Sequence, residues 1–240
     1  MKPWQDAMDE LARLKELDLA KFLWDESTTF KIVSLNIVSL AKHMGDIQAD
    51  KDIINADIVL LQETSFASNM NPDAGYDLGP NFMKHFNNQG KGKGVATYYP
   101  DNYRVITQYK KDTFQTTTIK SEELVITNVY RSNNASHNFC SELRQLLNNM
   151  EDKNHLLMGD FNYCLRNEPK HNVKLLLEKY GYAPINQILH QPPQATQIRG
   201  RCLDQAWIKI VSETVKVQGF AIRTCVYSDH EKVEVQLQFL

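Results

Sequence analysis

The chain has 240 residues, 42% hydrophobic and 23% charged, with a formal net charge of -2. That length allows one sizeable α/β core. The charge excludes a protein that coats nucleic acid by bulk positive potential, though not one that grips a few phosphates locally. Apolar runs such as Ile58-Val59-Leu60-Leu61 are strand-sized and too short to cross a bilayer.

The polar, mixed-charge start from Met1 to Glu10 shows no secretory signal pattern. Residues 1–28 read as a helical lead-in, with Trp4, Met8, Leu11, Leu14 and Leu17 forming an uneven apolar stripe, and residues 29–240 as the main domain. From Phe30 onward short apolar runs alternate with polar turns. Strands are expected at Lys31–Asn36, Asp57–Gln62, Gly94–Tyr99, Arg104–Gln108, Leu124–Tyr130, His155–Gly159 and Leu203–Ile210. A half-buried final strand is expected where Val233, Val235, Leu237 and Phe239 alternate with polar residues. Helices are expected over His43–Asn55, Asn138–Asn149 and Lys170–Tyr180. Strands and helices interleaved through one domain, without repeats or linkers, imply sheets covered by helices. Cys140, Cys164, Cys202 and Cys225 have no paired spacing and read as free thiols of a reducing, intracellular compartment.

The informative feature is where polar residues fall. Asn36 and Glu63 each follow an apolar strand, Asp160 and Asn162 follow Leu156-Leu157-Met158-Gly159, and Asp229-His230 precedes the last strand. Singly, each has a plainer reading: a turn-forming Asn, a solvated Glu, a Gly-Asp-Asn turn, a chance Asp-His pair. Together, strands that deliver carboxylates, amides and a histidine to their ends build a catalytic face. Asn36, Glu63, Asp160 and Asp229 are oxygen donors of the kind a hard cation requires.

The ordered pieces Ser34-Leu35-Asn36, Leu61-Gln62-Glu63-Thr64, Gly94-Val95-Ala96, Asn128-Val129-Tyr130, Gly159-Asp160-Phe161-Asn162, Leu203-Asp204 and Ser228-Asp229-His230 resemble the endonuclease/exonuclease/phosphatase family, which includes deoxyribonuclease I and the exonuclease III-type abasic endonucleases. The resemblance runs from Lys31 to Leu240. It implies an α/β fold of two sheets flanked by helices, the deoxyribonuclease I-like four-layer α/β/β/α sandwich, and a Mg²⁺-dependent phosphodiesterase in which Mn²⁺ can substitute.

By that resemblance Asn36, Glu63 and Asp229 hold the metal, and Asp160 orients or deprotonates the attacking water. Asn162 holds that water, Asp204 fixes His230, and His230 and Tyr130 face the phosphate. Asn133, Arg131, Arg199, Arg201 and Lys93 are candidate substrate contacts. Val38 stands where abasic endonucleases carry an aspartate in Asn-x-Asp, which points away from housekeeping abasic repair. The stretch from Thr196 to Asp204 is similar to the endonuclease domains of non-LTR retrotransposons and Helitron-like transposons, and departs from the phosphoinositide branch. The resemblance therefore implies an endonuclease that nicks DNA, acting as a monomer, with no membrane partner and a nuclear location. A phosphatase or phosphodiesterase acting on inositol, lipid or protein–nucleic-acid adducts stays open, as does an inactive nucleic-acid-binding module.

Overall fold

The computed structural model describes residues 29–67, 69, 75–135, 138–150, 152–168, 170–189 and 193–240, and the lead-in helix expected over residues 1–28 lies outside them. In chain order the elements are β1 (Phe30–Asn36), α1 (Leu40–Ala49), α2 (Lys51–Ile54), β2 (Ile58–Gln62), β3 (Met83–Asn87) and β4 (Val95–Tyr99). There follow β5 (Arg104–Lys111), β6 (Phe114–Lys120), β7 (Val125–Arg131), α3 (Phe139–Asn148) and β8 (His155–Asp160). The last third holds α4 (Asn172–Lys179), β9 (Ala183–Pro184), α5 (Ile185–Leu189), β10 (Asp204–Lys209), β11 (Val215–Arg223) and β12 (Lys232–Phe239).

The strands form two six-stranded mixed sheets, ordered β11-β12-β1-β2-β4-β3 and β5-β6-β7-β8-β10-β9. Period-two alternation sorts their side chains into layers. Ile32, Ile58, Leu60, Ile126, Leu156, Met158, Ala206, Ile208, Val233 and Val235 meet between the sheets. The alternate residues Val33, Leu35, Val59 and Leu61 pack outward on Leu40, Met44 and Ile47 of α1. On the far side Val125, Val129 and Leu157 pack on Leu143, Leu146 and Leu147 of α3 and on Val173, Leu176 and Leu177 of α4. The result is the helix–sheet–sheet–helix sandwich that the sequence implies.

The expected strands are all present, and β7 and β8 each run one residue further than expected, to Arg131 and Asp160. The single helix expected over His43–Asn55 is broken at Asp50, whose backbone is extended (ψ 110) and whose side chain caps α2 by accepting from Asp52 N. Asp50 is held out of helix register by the buried Lys232 ammonium, 2.7 Å from Oδ2 and 2.9 Å from Oδ1, and by the Tyr227 hydroxyl at 2.6 Å. This ties the segment before β12, which carries His230, to the α1–α2 junction. All four cysteines are free thiols, as the sequence implies.

Candidate active site

Strand parity decides which polar residues enter the layer between the sheets. In β1 the inward series is Ile32, Ser34, Asn36; in β2 it is Ile58, Leu60, Gln62; in β7, Ile126, Asn128, Tyr130; in β8, Leu156, Met158, Asp160. β1 and β2 run parallel, as do β7 and β8. Their inward series therefore change from apolar to polar at the same end of the sandwich. β10 runs antiparallel to β8 and places Asp204 directly opposite Asp160.

The change occurs in two tiers. The deeper tier is neutral and buried. Gln62 Nε2 donates to Ser34 Oγ at 3.0 Å and to Asn128 Oδ1 at 2.8 Å, while Asn128 Nδ2 donates to the carbonyls of Leu61 and Ala96. The bonds made by Asn128 cross from one sheet to the other, and together these contacts satisfy the layer's amides, so no charge is needed there.

The outer tier is ionisable. Asn36 Nδ2 donates to Glu63 Oε1 at 3.0 Å and to Asp160 Oδ2 at 2.9 Å, bridging a carboxylate from each sheet. Its Oδ1 accepts from Val38 N at 3.1 Å. The Tyr130 hydroxyl also donates to Glu63 Oε1, at 3.0 Å. Burial and the Glu63 and Asp160 charges push that phenol far above its ordinary range, so it stays a donor. Asn162 clasps Asp160 through its backbone N–H (2.8 Å to Oδ1) and its amide (3.1 Å to Oδ2). His230 Nδ1 lies 2.8 Å from Asp204 Oδ2, with both side chains buried. Asp160, Asp204 and His230 bring ligand-capable atoms within 4.8 Å of one another.

These groups titrate against one another. Burial, then the Asp204 charge, raises the Asp160 carboxyl well above the usual carboxylate range. Burial opposes the His230 imidazolium, but Asp204, backed by Asp160 and Asp229, outweighs it and lifts the ring to about 10. At neutral pH the ring is a cation facing a carboxyl group of raised basicity.

Backbone strain is concentrated in the same place. Among the described residues, the non-glycine positions with positive φ are Val38, Glu63, Ser65 and Asn162, and all four lie in the loops that build this site. Left-handed backbone costs an L-residue roughly 1–2 kcal/mol. Local bonds hold it, including Asn36 Oδ1 to Val38 N, Ser65 Oγ to the Val38 carbonyl at 2.8 Å, and the Asn162 contacts above.

The remaining candidates lie further out. Asp229 is exposed; its carboxylate accepts from Gln197 Nε2 at 3.4 Å, and its carbonyl accepts from Ile198 N. It stands beside His230 rather than in the Asn36–Glu63 hydrogen-bond set. The Lys93 ammonium pairs with Asp112 at 3.2 Å, and Asn133 is exposed in the turn after β7. Arg199 and Arg201 are exposed on a tight turn closed by Gly200 N to the Gln197 carbonyl and joined to the His230 segment through a Gln197–His230 bridge. Arg131 is half-buried behind Asn162, and its Nη1 donates to the Phe161 and Asn162 carbonyls.

Two residues to which the sequence assigns no role of their own hold the site in place. Thr196 Oγ1 accepts from the N–H groups of Leu203 and Asp204 at 3.0 and 2.9 Å, fixing the start of β10. Ser228 Oγ donates to the Asn36 carbonyl at 2.7 Å and accepts from His230 N at 3.1 Å. Its place in Ser-Asp-His was the only sequence signal for that role.

The donor set fits a hard divalent cation. Among the described residues, both side-chain hydrogen bonds to the Glu63 carboxylate fall on Oε1. Asp204 Oδ1 is buried with no hydrogen-bond partner among the described residues, a carboxylate oxygen of the kind a cation or substrate proton satisfies.

A sandwich with carboxylates, amides and a histidine gathered at one end is suited to hold a cation and act on a phosphoester. The chain belongs to the Endonuclease/Exonuclease/phosphatase family, whose model matches residues 33–230. No curated protein sequence matches it. Among solved structures it is similar to an AP endonuclease from Leishmania major (TM-score 0.71, 14% identity, 90% of each chain covered). It is also similar to a 3' phosphatase from Neisseria bound to product DNA hairpin (TM-score 0.68, 18% identity, 88% of this chain and 99% of that one). A third similar structure is the endonuclease domain of TRAS1, a telomere-specific non-LTR retrotransposon (TM-score 0.64, 14% identity, 88% and 99% covered).

Proposed function

We propose that the protein is a Mg²⁺-dependent endonuclease that nicks DNA. The observation that carries this reading is the pair of carboxylates Glu63 and Asp160, one from each sheet, bridged by Asn36 beside the Asp204–His230 pair. Glu63 would hold the cation, with Asn36 and Asp160 beside it; when bound it supplies charge neutralisation at the scissile phosphate and the leaving oxygen.

The chain's own residues supply the rest. Asp160, kept basic by burial and by Asp204, takes the proton of the attacking water. Asn162 holds both Asp160 oxygens, so the base meets the water in one orientation. Asp204 secures His230 through Nδ1, which leaves Nε2 to donate to a phosphate oxygen from a ring that is charged at neutral pH. Tyr130, held as a neutral phenol, is the second donor, its single proton turning from Glu63 Oε1 to the phosphate when substrate is bound. Donors aimed in advance at developing charge are the main source of rate in such chemistry. The exposed Arg199 and Arg201 flank the His230 side and suit backbone phosphates. The likeness of Thr196–Asp204 to mobile-element endonucleases supports target nicking as the particular role.

Supercoiled plasmid is the test substrate. Conversion to open circles is expected with Mg²⁺, none with EDTA, and a loss of about 10²-fold or more in Glu63→Ala and His230→Ala. A folded wild type that leaves plasmid intact in Mg²⁺ yet releases phosphate from inositol phosphates sinks the DNA reading.

A further inference from the structure

Tyr130 and Arg131 are neighbours at the end of β7, and the sequence suggests that both grip phosphate. A strand turns successive side chains to opposite faces, so the two do not share a pocket. Tyr130 enters the layer between the sheets and reaches Glu63. Arg131 leaves by the other face, where its guanidinium carbon lies 5.2 Å from the centre of the Phe139 ring. There Nη1 donates to two successive carbonyls, those of Phe161 and Asn162, each at 3.1 Å. The return bond runs from Asn162 Nδ2 to the Arg131 carbonyl at 2.6 Å. The two residues thus clasp each other, side chain to main chain in both directions.

What they clasp is the turn that aims Asp160. Asn162 has φ +50, a conformation that its neighbours must hold, and its amide is shared between the Arg131 carbonyl and Asp160 Oδ2. A cation on the carbonyls of residues 161 and 162 holds the peptide planes of that turn; charge-assisted bonds are the stronger class. We infer that Arg131 is a positioning residue for Asn162, and through it for Asp160, and is not a phosphate contact. This reverses the role that its place beside Tyr130 suggests. Arg199 and Arg201, exposed on the other flank, remain the residues placed to meet phosphate.

The test uses Arg131→Lys and Arg131→Met in the full chain, with two readouts. The kinetic readout rests on the endonuclease reading. With a duplex oligonucleotide at saturation in Mg²⁺, Arg131→Met is expected to lose roughly tenfold or more of the single-turnover rate. Its affinity for the same duplex in EDTA stays within about twofold, and the salt dependence of binding is unchanged. Arg131→Lys recovers part of the rate, because an ammonium reaches one of the two carbonyls. The second readout needs neither metal nor DNA: the Asn162 side-chain amide resonances, identified by their loss in Asn162→Asp, shift in both Arg131 variants. Weaker binding with a shallower salt dependence and an unchanged saturated rate would make Arg131 a phosphate contact and overturn the inference. Unshifted Asn162 resonances in folded Arg131→Lys overturn it as well. If the wild type cleaves no DNA, the endonuclease reading fails while the amide resonances still decide the role of Arg131.

Discussion

His230 illustrates how one residue's chemistry is set by its neighbours. Its ring is buried, which by itself disfavours charge, yet the Asp204 carboxylate at 2.8 Å keeps it protonated up to about 10. A histidine whose folded pKa is raised stabilises the fold fully below its unfolded value of about 6.5. That contribution is lost as pH rises through about 10. Asp204→Asn is therefore expected to move the His230 midpoint, followed by imidazole NMR, down from about 10 toward about 6.5. At pH 8 the variant should lose roughly 10²-fold or more in cleavage rate. A midpoint that stays put would show that Asp204 does not hold the charge. With the proposed roles, Asp160 as base and His230 as cation, the wild-type profile should rise as Asp160 ionises and fall as His230 deprotonates.

At the scale of elements, the strands that end in site residues were legible because an apolar run closed by Asn, Glu or Asp is a sharp signal. β6 was missed because its layer is built of threonines: Thr116, Thr117 and Thr118 are all fully buried, and a Thr-rich run reads as a loop unless its β-branching is weighed. β11 was missed although Val215 and Val217 alternate; Gly219 follows at a register shift and breaks the pattern. The break at Asp50 depends on Lys232, 182 residues away, so no local window contains it. Candidate site residues within strands, Asn36, Tyr130 and Asp160, are readable for a related reason, since parity carries them inward; Glu63 follows Gln62 out of phase and meets Asn36 through a left-handed backbone that no strand pattern encodes. The tight turn of Arg199 and Arg201 and the face taken by Arg131 depend on how loops close.

Gly159 marks where two elements come closest. A Cβ there, at φ +146, would stand 2.0 Å from the Val129 carbonyl oxygen of β7, so Gly159→Ala must separate β7 from β8. Its expected cost is about 4 kcal/mol or more by urea unfolding. Gly45 lies within α1, where an added Cβ meets nothing within 4 Å, and Gly45→Ala should stabilise by about 0.5–1 kcal/mol. Equal effects of the two substitutions would refute the packing argument.

Across the whole molecule, each sheet contributes half of the candidate site: Asn36, Glu63 and the His230 segment from one, Tyr130, Asp160 and Asp204 from the other. The side chains between the sheets therefore set the distance across which Asn36 meets Asp160. Met158→Ala, in that inner layer, and Leu147→Ala, on the buried face of α3 in the outer layer, should each lose about 2–5 kcal/mol of stability. Only the inner substitution is expected to lower the saturated cleavage rate at a temperature where both remain folded; matching rates would refute the distinction. The neutral tier of Ser34, Gln62 and Asn128 then acquires a further meaning. It works as a gauge block, fixing the gap between the jaws of a vice whose faces are the two carboxylates. Selection for activity in such a protein acts on interior residues that never touch substrate, and sequence drift in the apolar layer is constrained by width as much as by hydrophobicity.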